Sequence, residues 1–133
     1  MTTYHWSFDD DINNFVSAGV KSIGVWRQKL EEFGEERGID LLRESDLSVS
    51  SVSWTGGFTG ANRQPFDDAL DDAFEAIRIA AELKAGCVVV ASGPRAGHTA
   101  NHARRLLVQA LRELSGLAGA YNVKLAVLPM HSH

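Results

Sequence analysis

Cys87-Val88-Val89-Val90-Ala91, running into Ser92-Gly93-Pro94-Arg95-Ala96-Gly97-His98-Thr99, is a short apolar run that stops at a Gly-Pro turn and leads into a helix-patterned stretch. The same phrase recurs. Ser22-Ile23-Gly24-Val25-Trp26 precedes Arg27-Gln28, Val49-Ser50-Ser51-Val52-Ser53-Trp54 precedes Thr55-Gly56-Gly57, and Leu125-Ala126-Val127-Leu128 precedes Pro129-Met130-His131. Apolar runs alternating with helical stretches predict βα units and a parallel sheet. In such sheets the ligand site gathers at the carboxyl ends of the strands, and there this chain concentrates Trp, Arg, Gln, Gly and His.

The stretches between the runs read as helices. Phe8, Ile12, Phe15 and Val16 share one helical face behind Ser7 as cap, Asp9, Asp10 and Asp11 fill the first turn where the helix dipole favours anions, and Gly19 is the stop. A less regular segment holds Leu30 and Phe33, and a helix is expected from about Gly34 to Ser45. Pro65 opens the clearest helix, with Phe66, Leu70, Ala73, Phe74, Ile77 and Ala81 on one side and Asp67, Asp68, Asp71 and Asp72 near its start; Gly86 ends it. The last helix is expected from about Thr99 to Tyr121, with Leu106, Leu107, Ala110, Leu111, Leu114, Leu117 and Ala118 inward.

Four strands and four helices are about half of an eightfold barrel, a fold that needs around 250 residues, against 133 here. The first helix lacks a preceding strand unless Met1 to His5 is its remnant. The expectation is an α/β chain, a partial (β/α)8 barrel of about four βα units in a single domain over residues 1–133. A parallel strand at an open edge exposes backbone groups and apolar faces. Either the chain pairs with itself through those edges, or it is a piece of something longer.

Composition narrows the function classes. A net charge of −4 leaves no basic surface to neutralise phosphates, which argues against nucleic acid. The start, Met1 to Trp6, has no basic region or apolar core, and no apolar run approaches the roughly 18 residues of a membrane span. A soluble, cytoplasmic protein without membrane contact is expected. Cys87 is the only cysteine, so no intrachain disulfide forms, and its apolar neighbours suggest a small buried strand residue.

Candidate site residues follow from the strand ends. Arg27 offers a fork for a phosphate or carboxylate and Trp26 a wall for a sugar ring, or else Trp26 plugs the barrel mouth and Arg27 sits in a structural ion pair. Trp54-Thr55-Gly56-Gly57-Phe58-Thr59-Gly60 is a glycine-rich loop with backbone N–H groups open to an oxyanion, or a plain loop over the mouth. The segment from Ser92 to Thr99 joins a strand to a helix start and carries Arg95 and His98, the expected polar substrate contacts and the centre of an expected anion site. His102, four residues beyond His98, and the His131-Ser132-His133 tail are conceivable metal donors without an acidic third ligand nearby. Lys29, Glu31, Glu32, Glu35, Glu36 and Arg37 read as a solvated charged face.

Tyr4-His5-Trp6-Ser7-Phe8, Gly24-Val25-Trp26-Arg27-Gln28-Lys29-Leu30, Ser53-Trp54-Thr55-Gly56-Gly57-Phe58-Thr59-Gly60 and Ser92-Gly93-Pro94-Arg95-Ala96-Gly97-His98-Thr99 resemble bacterial sugar phosphate isomerase/epimerase proteins of the xylose isomerase-like TIM barrel family. The resemblance covers nearly the whole chain and the N-terminal half of the family's domain. It implies a divalent-metal (Mn, Mg or Zn) barrel that moves a proton between adjacent carbons of a sugar or sugar phosphate. It also implies Trp26, Arg27, Trp54, Arg95 and His98 as substrate-side residues. The resemblance implies that the first metal ligand is typically a Glu in a Leu-Glu-Pro sequence at the end of the fifth strand, and here the corresponding residue is Leu128, before Pro129. Leu cannot ligate a metal, so this chain alone is not expected to bind one. No residue is assigned as general base. The alternative to an isomerase/epimerase is a non-catalytic ligand-binding or self-assembling half-barrel module; an AP-endonuclease-like activity on DNA shares the barrel but suits the acidic balance poorly.

Overall fold

The structure, a computed structural model, describes residues 5–60 and 63–129. Helix α1 (Phe8–Ser17) leads to strand β1 (Ser22–Trp26), then helices α2 (Arg27–Phe33) and α3 (Glu35–Glu44), β2 (Ser48–Gly56), α4 (Phe66–Glu82), β3 (Cys87–Ala91), α5 (Ala100–Ala120) and β4 (Lys124–Leu128). The strands form one parallel sheet in the order β1-β2-β3-β4. The expected partial barrel is therefore present, with the strands placed where the apolar runs lie. No helix among the described residues is long and apolar enough to cross a membrane.

Register divides the sheet into two faces. Val25, Val52, Val88 and Leu125 stand side by side across the four strands and face the helices; the first three are almost fully buried. The neighbouring row, Gly24, Ser51, Cys87 and Lys124, is half-buried or exposed, as is the row Trp26, Ser53, Val89 and Ala126. Helices thus cover one face, and the other, which lines the interior of a closed barrel, is open. Cys87 lies on this open side, half-buried rather than enclosed as its neighbours suggested, with its thiol 3.8 Å from the Ser50 carbonyl.

Two irregularities set the phase of β2. The register shifts opposite Ile23/Gly24 and again between Ser53 and Thr55. Each shift lets a strand side chain change face out of turn. Val49, Val52 and Thr55, three apart, all become buried on the helix side. The second shift also extends β2 to Gly56, so Trp54 lies inside the strand and not at the start of a loop. Gly56, at φ 151, meets the Ala91 carbonyl so closely that any Cβ would collide with it.

One helix beyond the four expected is α2, which begins directly at Arg27 and ends at Gly34, whose φ of 114 turns the chain into α3. Gly38 of α3 packs its bare Cα against Leu30 and Phe8, so α1, α2 and α3 meet at a point that excludes even a methyl group. Lys29 is the correction to the solvated face: it is 6% exposed, with its Nζ 2.6 Å from Asp11 Oδ2 of α1. Burying a lysine demands a charge partner, and Asp11 supplies it. The predicted strand remnant at Met1 to His5 falls mostly outside the described residues, as do His131 and His133.

Candidate functional site

The carboxyl ends of β1 and β2 build a cleft of about 290 Å³ lined by Trp26, Arg27, Gln28, Glu31, Ser53, Trp54 and Asp72. Three of the residues expected at the site, Trp26, Arg27 and Trp54, meet here. Trp26 closes β1 in extended geometry and its successor opens α2, so Arg27, Gln28 and Glu31 project from the first turns of a helix onto the sheet rim. Ser53 pairs with Trp26 in the register, while Trp54 occupies the irregularity beside it and is 55% exposed. The peptide between Ser53 and Trp54 is cis. The cleft therefore has an open indole on one side and polar side chains on the other. Trp26 also lines a second cavity, of about 280 Å³, with Trp6, Phe8, Lys29 and Phe33.

Arg27 is tied down. Its Nη1 and Nη2 each donate to one oxygen of Asp72 at 3.0 Å, a two-point fork, and the Thr55 hydroxyl donates to Asp72 Oδ2 at 3.0 Å. Only Nε, buried, has no hydrogen-bond partner. Burial pushes the Asp72 carboxyl up, but the hydrogen bonds and charge of Arg27 with the Thr55 hydroxyl outweigh it and hold the group below the ordinary carboxylate value. A second carboxylate, Glu31, stands 3.9 Å from Arg27 Nη2. With two acids around one guanidinium the cleft carries no excess positive charge, and the fork that would grip a phosphate is already engaged. The arrangement suits hydroxyl groups better than an anion.

Asp72 was visible in the sequence only as one of several acids near the start of a helix. Its role depends on Arg27, 45 residues away, and on the register shift that turns Thr55 toward α4. The chain's one local hint was an Arg immediately after an apolar strand.

Arg95 and His98 lie in the neighbouring loop after β3 and do not line the cleft. Arg95 is exposed. His98 Nε2 donates to the Thr59 carbonyl at 3.0 Å, and the Thr59 hydroxyl donates to the Pro94 carbonyl at 2.8 Å. These bonds lace the loop after β2 to the loop after β3, with Phe58 buried beneath them against Phe66. Thr59 itself is buried, so the glycine-rich segment is an anchored strap. Thr99 caps α5 by accepting from the His102 amide. The rings of His98 and His102 pack with centroids 4.7 Å apart.

A divalent metal is not matched by these residues. Among the described residues no group of three or more His, Cys, Asp or Glu side chains comes together to hold an ion. At the end of β4, Leu128 is half-exposed and offers no donor atom from its side chain.

The crystal structure of protein SMc04130 from Sinorhizobium meliloti 1021 superposes with a TM-score of 0.86 at 26% identity, over 95% of this chain and 46% of that one. The IolI protein, crystallised with a zinc atom, gives 0.80 at 18% identity, over 94% and 47%. The 3-keto-D-glucoside 4-epimerase YcjR from E. coli, in its apo form, gives 0.75 at 13% identity, over 96% and 52%. The chain thus spans about half the length of each of these structures. No curated protein matches it in sequence. The family description xylose isomerase-like TIM barrel matches residues 12–133, nearly the whole chain, and the chain belongs to that family.

Proposed function

We propose that this chain is the sugar-binding half of an isomerase/epimerase barrel, and that the cleft between β1 and β2 receives a neutral, hydroxyl-rich ring. The observation that carries the reading is the exposed indole of Trp54 beside Trp26 at the carboxyl ends of adjacent parallel strands, with Gln28, Glu31 and Ser53 around them. Apolar ring faces stack on indoles while the hydroxyls take the polar rim. The reaction class, proton transfer between adjacent carbons of a sugar, comes from the family and from neighbours such as the YcjR epimerase. In this half, Asp72 is engaged by Arg27 and Thr55, so the described cleft supplies binding and orientation to that reaction. The described residues do not form a donor set for a metal.

The test is an NMR titration of the 133-residue chain with unphosphorylated monosaccharides and with their phosphates. The neutral sugars should shift the amides of Gln28, Ser53 and Trp54 saturably, and Trp54→Ala should abolish the shifts at Gln28 and Ser53. Saturable shifts confined to residues 95–99 with the phosphates alone would replace this reading with an anion site on the β3 loop. The absence of any saturable shift would remove the sugar reading for this chain.

A further inference from the structure

We infer that the ligand of the Trp54 cleft is a glycoside rather than a free sugar: its sugar ring takes the cleft, and an apolar aglycone ring takes the adjoining cavity, against Trp6. The inference rests on the reading of the cleft as a sugar site and adds the class of sugar. The cleft of about 290 Å³ and the cavity of about 280 Å³ share two walls, Trp26 and Gln28. Either volume alone lies at the low end of the roughly 300–1,000 Å³ that ligand pockets occupy. A ligand that fills both is longer than one ring, and Gln28, exposed in the first turn of α2, belongs to both halves of its path.

Trp6 is held for this task. It stands immediately before the cap of α1, where Ser7 Oγ accepts from the Asp10 amide at 3.4 Å and donates to Asp9 Oδ1 at 2.6 Å. The Trp6 ring packs at 6.2 Å from that of Phe15 on the same helix, yet the residue stays 43% exposed. An indole braced by one neighbour and open to solvent is a stacking surface whose ordering cost is already met. Phe8 and Phe33, with ring centroids 5.5 Å apart, extend the aromatic wall of the cavity.

The polar groups around this cavity are engaged with one another. Lys29 Nζ donates to Asp11 Oδ2 at 2.6 Å, Gln28 Nε2 donates to Glu32 Oε1 at 3.2 Å, and Ser7 is bonded within its own helix turn. The hydroxyls of a second sugar would compete with those bonds, whereas an apolar ring needs only the aromatic wall. In the cleft, Ser53 and Glu31 stand beside Trp54 as partners for hydroxyls. The two cavities are therefore unlike, one suited to a hydroxylated ring and the other to an apolar one.

Amide shifts of the 133-residue chain, titrated with methyl glucoside and with phenyl glucoside, separate the two cavities. Both ligands should shift Ser53 and Trp54, and phenyl glucoside alone should also shift Ser7 and Phe33. Phenyl glucoside should bind about tenfold more tightly, the gain from one stacked aromatic ring. Trp6→Ala should remove that gain and Trp6→Phe should keep part of it, with circular dichroism confirming that both variants are folded. Equal affinity for the two ligands, with shifts at Ser53 and Trp54 alone, would overturn the second ring and leave the sugar reading standing. Phenyl glucoside affinity that survives Trp6→Ala would overturn it as well. Silence of both ligands at Ser53 and Trp54 would remove the sugar reading, and this inference with it.

Discussion

Helices α4 and α5 have the same kind of amphipathic pattern, yet they are buried very differently. The 17 residues of α4 bury Ala69, Leu70, Ala73, Ala76, Ile77, Ile79 and Ala80, whereas the 21 residues of α5 bury only Ala110, Leu114 and Ala118. Leu106, Leu107, Leu111 and Leu117, which the pattern places inward, are only half-buried. The difference lies beneath and beside the helices. α4 lies over β2 and β3, and its Arg78 reaches Glu35 of α3 at 2.6 Å, whereas α5 leans over β4, a strand with no buried residue. An apolar stripe states what a helix can bury; its neighbours on both flanks decide what it does bury.

Substitutions in the two helices turn this contrast into free energy. Ile77→Ala should cost about 2–5 kcal/mol, the range for a large-to-small change in an enclosed core. Leu107→Ala should cost about 1–2 kcal/mol, since part of its surface remains in water and the site can collapse. Urea unfolding of both variants gives the comparison. Equal costs would mean that the α5 flank is covered in solution. A Leu107→Ala cost that grows with protein concentration would point to a second copy as the cover.

Much of this architecture is legible in the sequence because it rests on local pattern: the four strands and four of the five helices among the described residues all follow from apolar runs and their punctuation. What escaped the reading depends on contacts between distant residues. Helix α2 holds seven residues with only Leu30 and Phe33 as apolar signals, and it exists because it packs on α1 and α3 at Gly38. Lys29 looks like any solvent lysine until Asp11, 18 residues earlier, is brought to it. In β2 the three-residue spacing of Val49, Val52 and Thr55 imitates a helix, and only strand pairing reveals the two register shifts that explain it. The cleft was half legible. Its tryptophans announce themselves at strand ends, whereas the engagement of Arg27 by Asp72 could not be read from either residue's surroundings.

That engagement is the next largest expected effect, and it has no counterpart at the α5 end. Asp72→Asn leaves a buried guanidinium facing a neutral amide, which should cost about 1.5–3 kcal/mol. The lower part of that range is expected, because the Asp72 side chain is 41% exposed and solvent screens the pair. Since the folded state lowers the Asp72 pKa, its contribution is present above the ordinary value of 3.8 and is lost as the pH falls through the lowered one. Wild type and Asp72→Asn should therefore differ most near neutrality and converge in acid, which paired urea titrations across pH would show. Arg95→Ala, an exposed arginine of the β3 loop, should stay within about 0.5 kcal/mol at every pH. A pH-independent Asp72→Asn cost would show that shape, and not charge, fixes Arg27.

The smallest effect concerns the seam between the two regions. His98 donates to the Thr59 carbonyl while Thr59 donates to the Pro94 carbonyl, so the β2 and β3 loops hold each other through reciprocal bonds. Each is a single neutral hydrogen bond at a part-buried site, worth about 0.5–1.5 kcal/mol net, and neither lies in the core. His98→Ala should accordingly lower global stability by no more than about 1.5 kcal/mol. Its local consequence should be larger in relative terms, because a strap held at few points opens by itself long before the domain unfolds. Hydrogen exchange should then accelerate at residues 57–60 and leave Val88 and Val90 unchanged. His98→Gln, whose amide can still donate to Thr59, should restore part of the protection. If Val88 and Val90 lose protection in step with the strap, the two loops and the sheet open as one unit, and the boundary between the enclosed α4 region and the open α5 region does not lie at this seam.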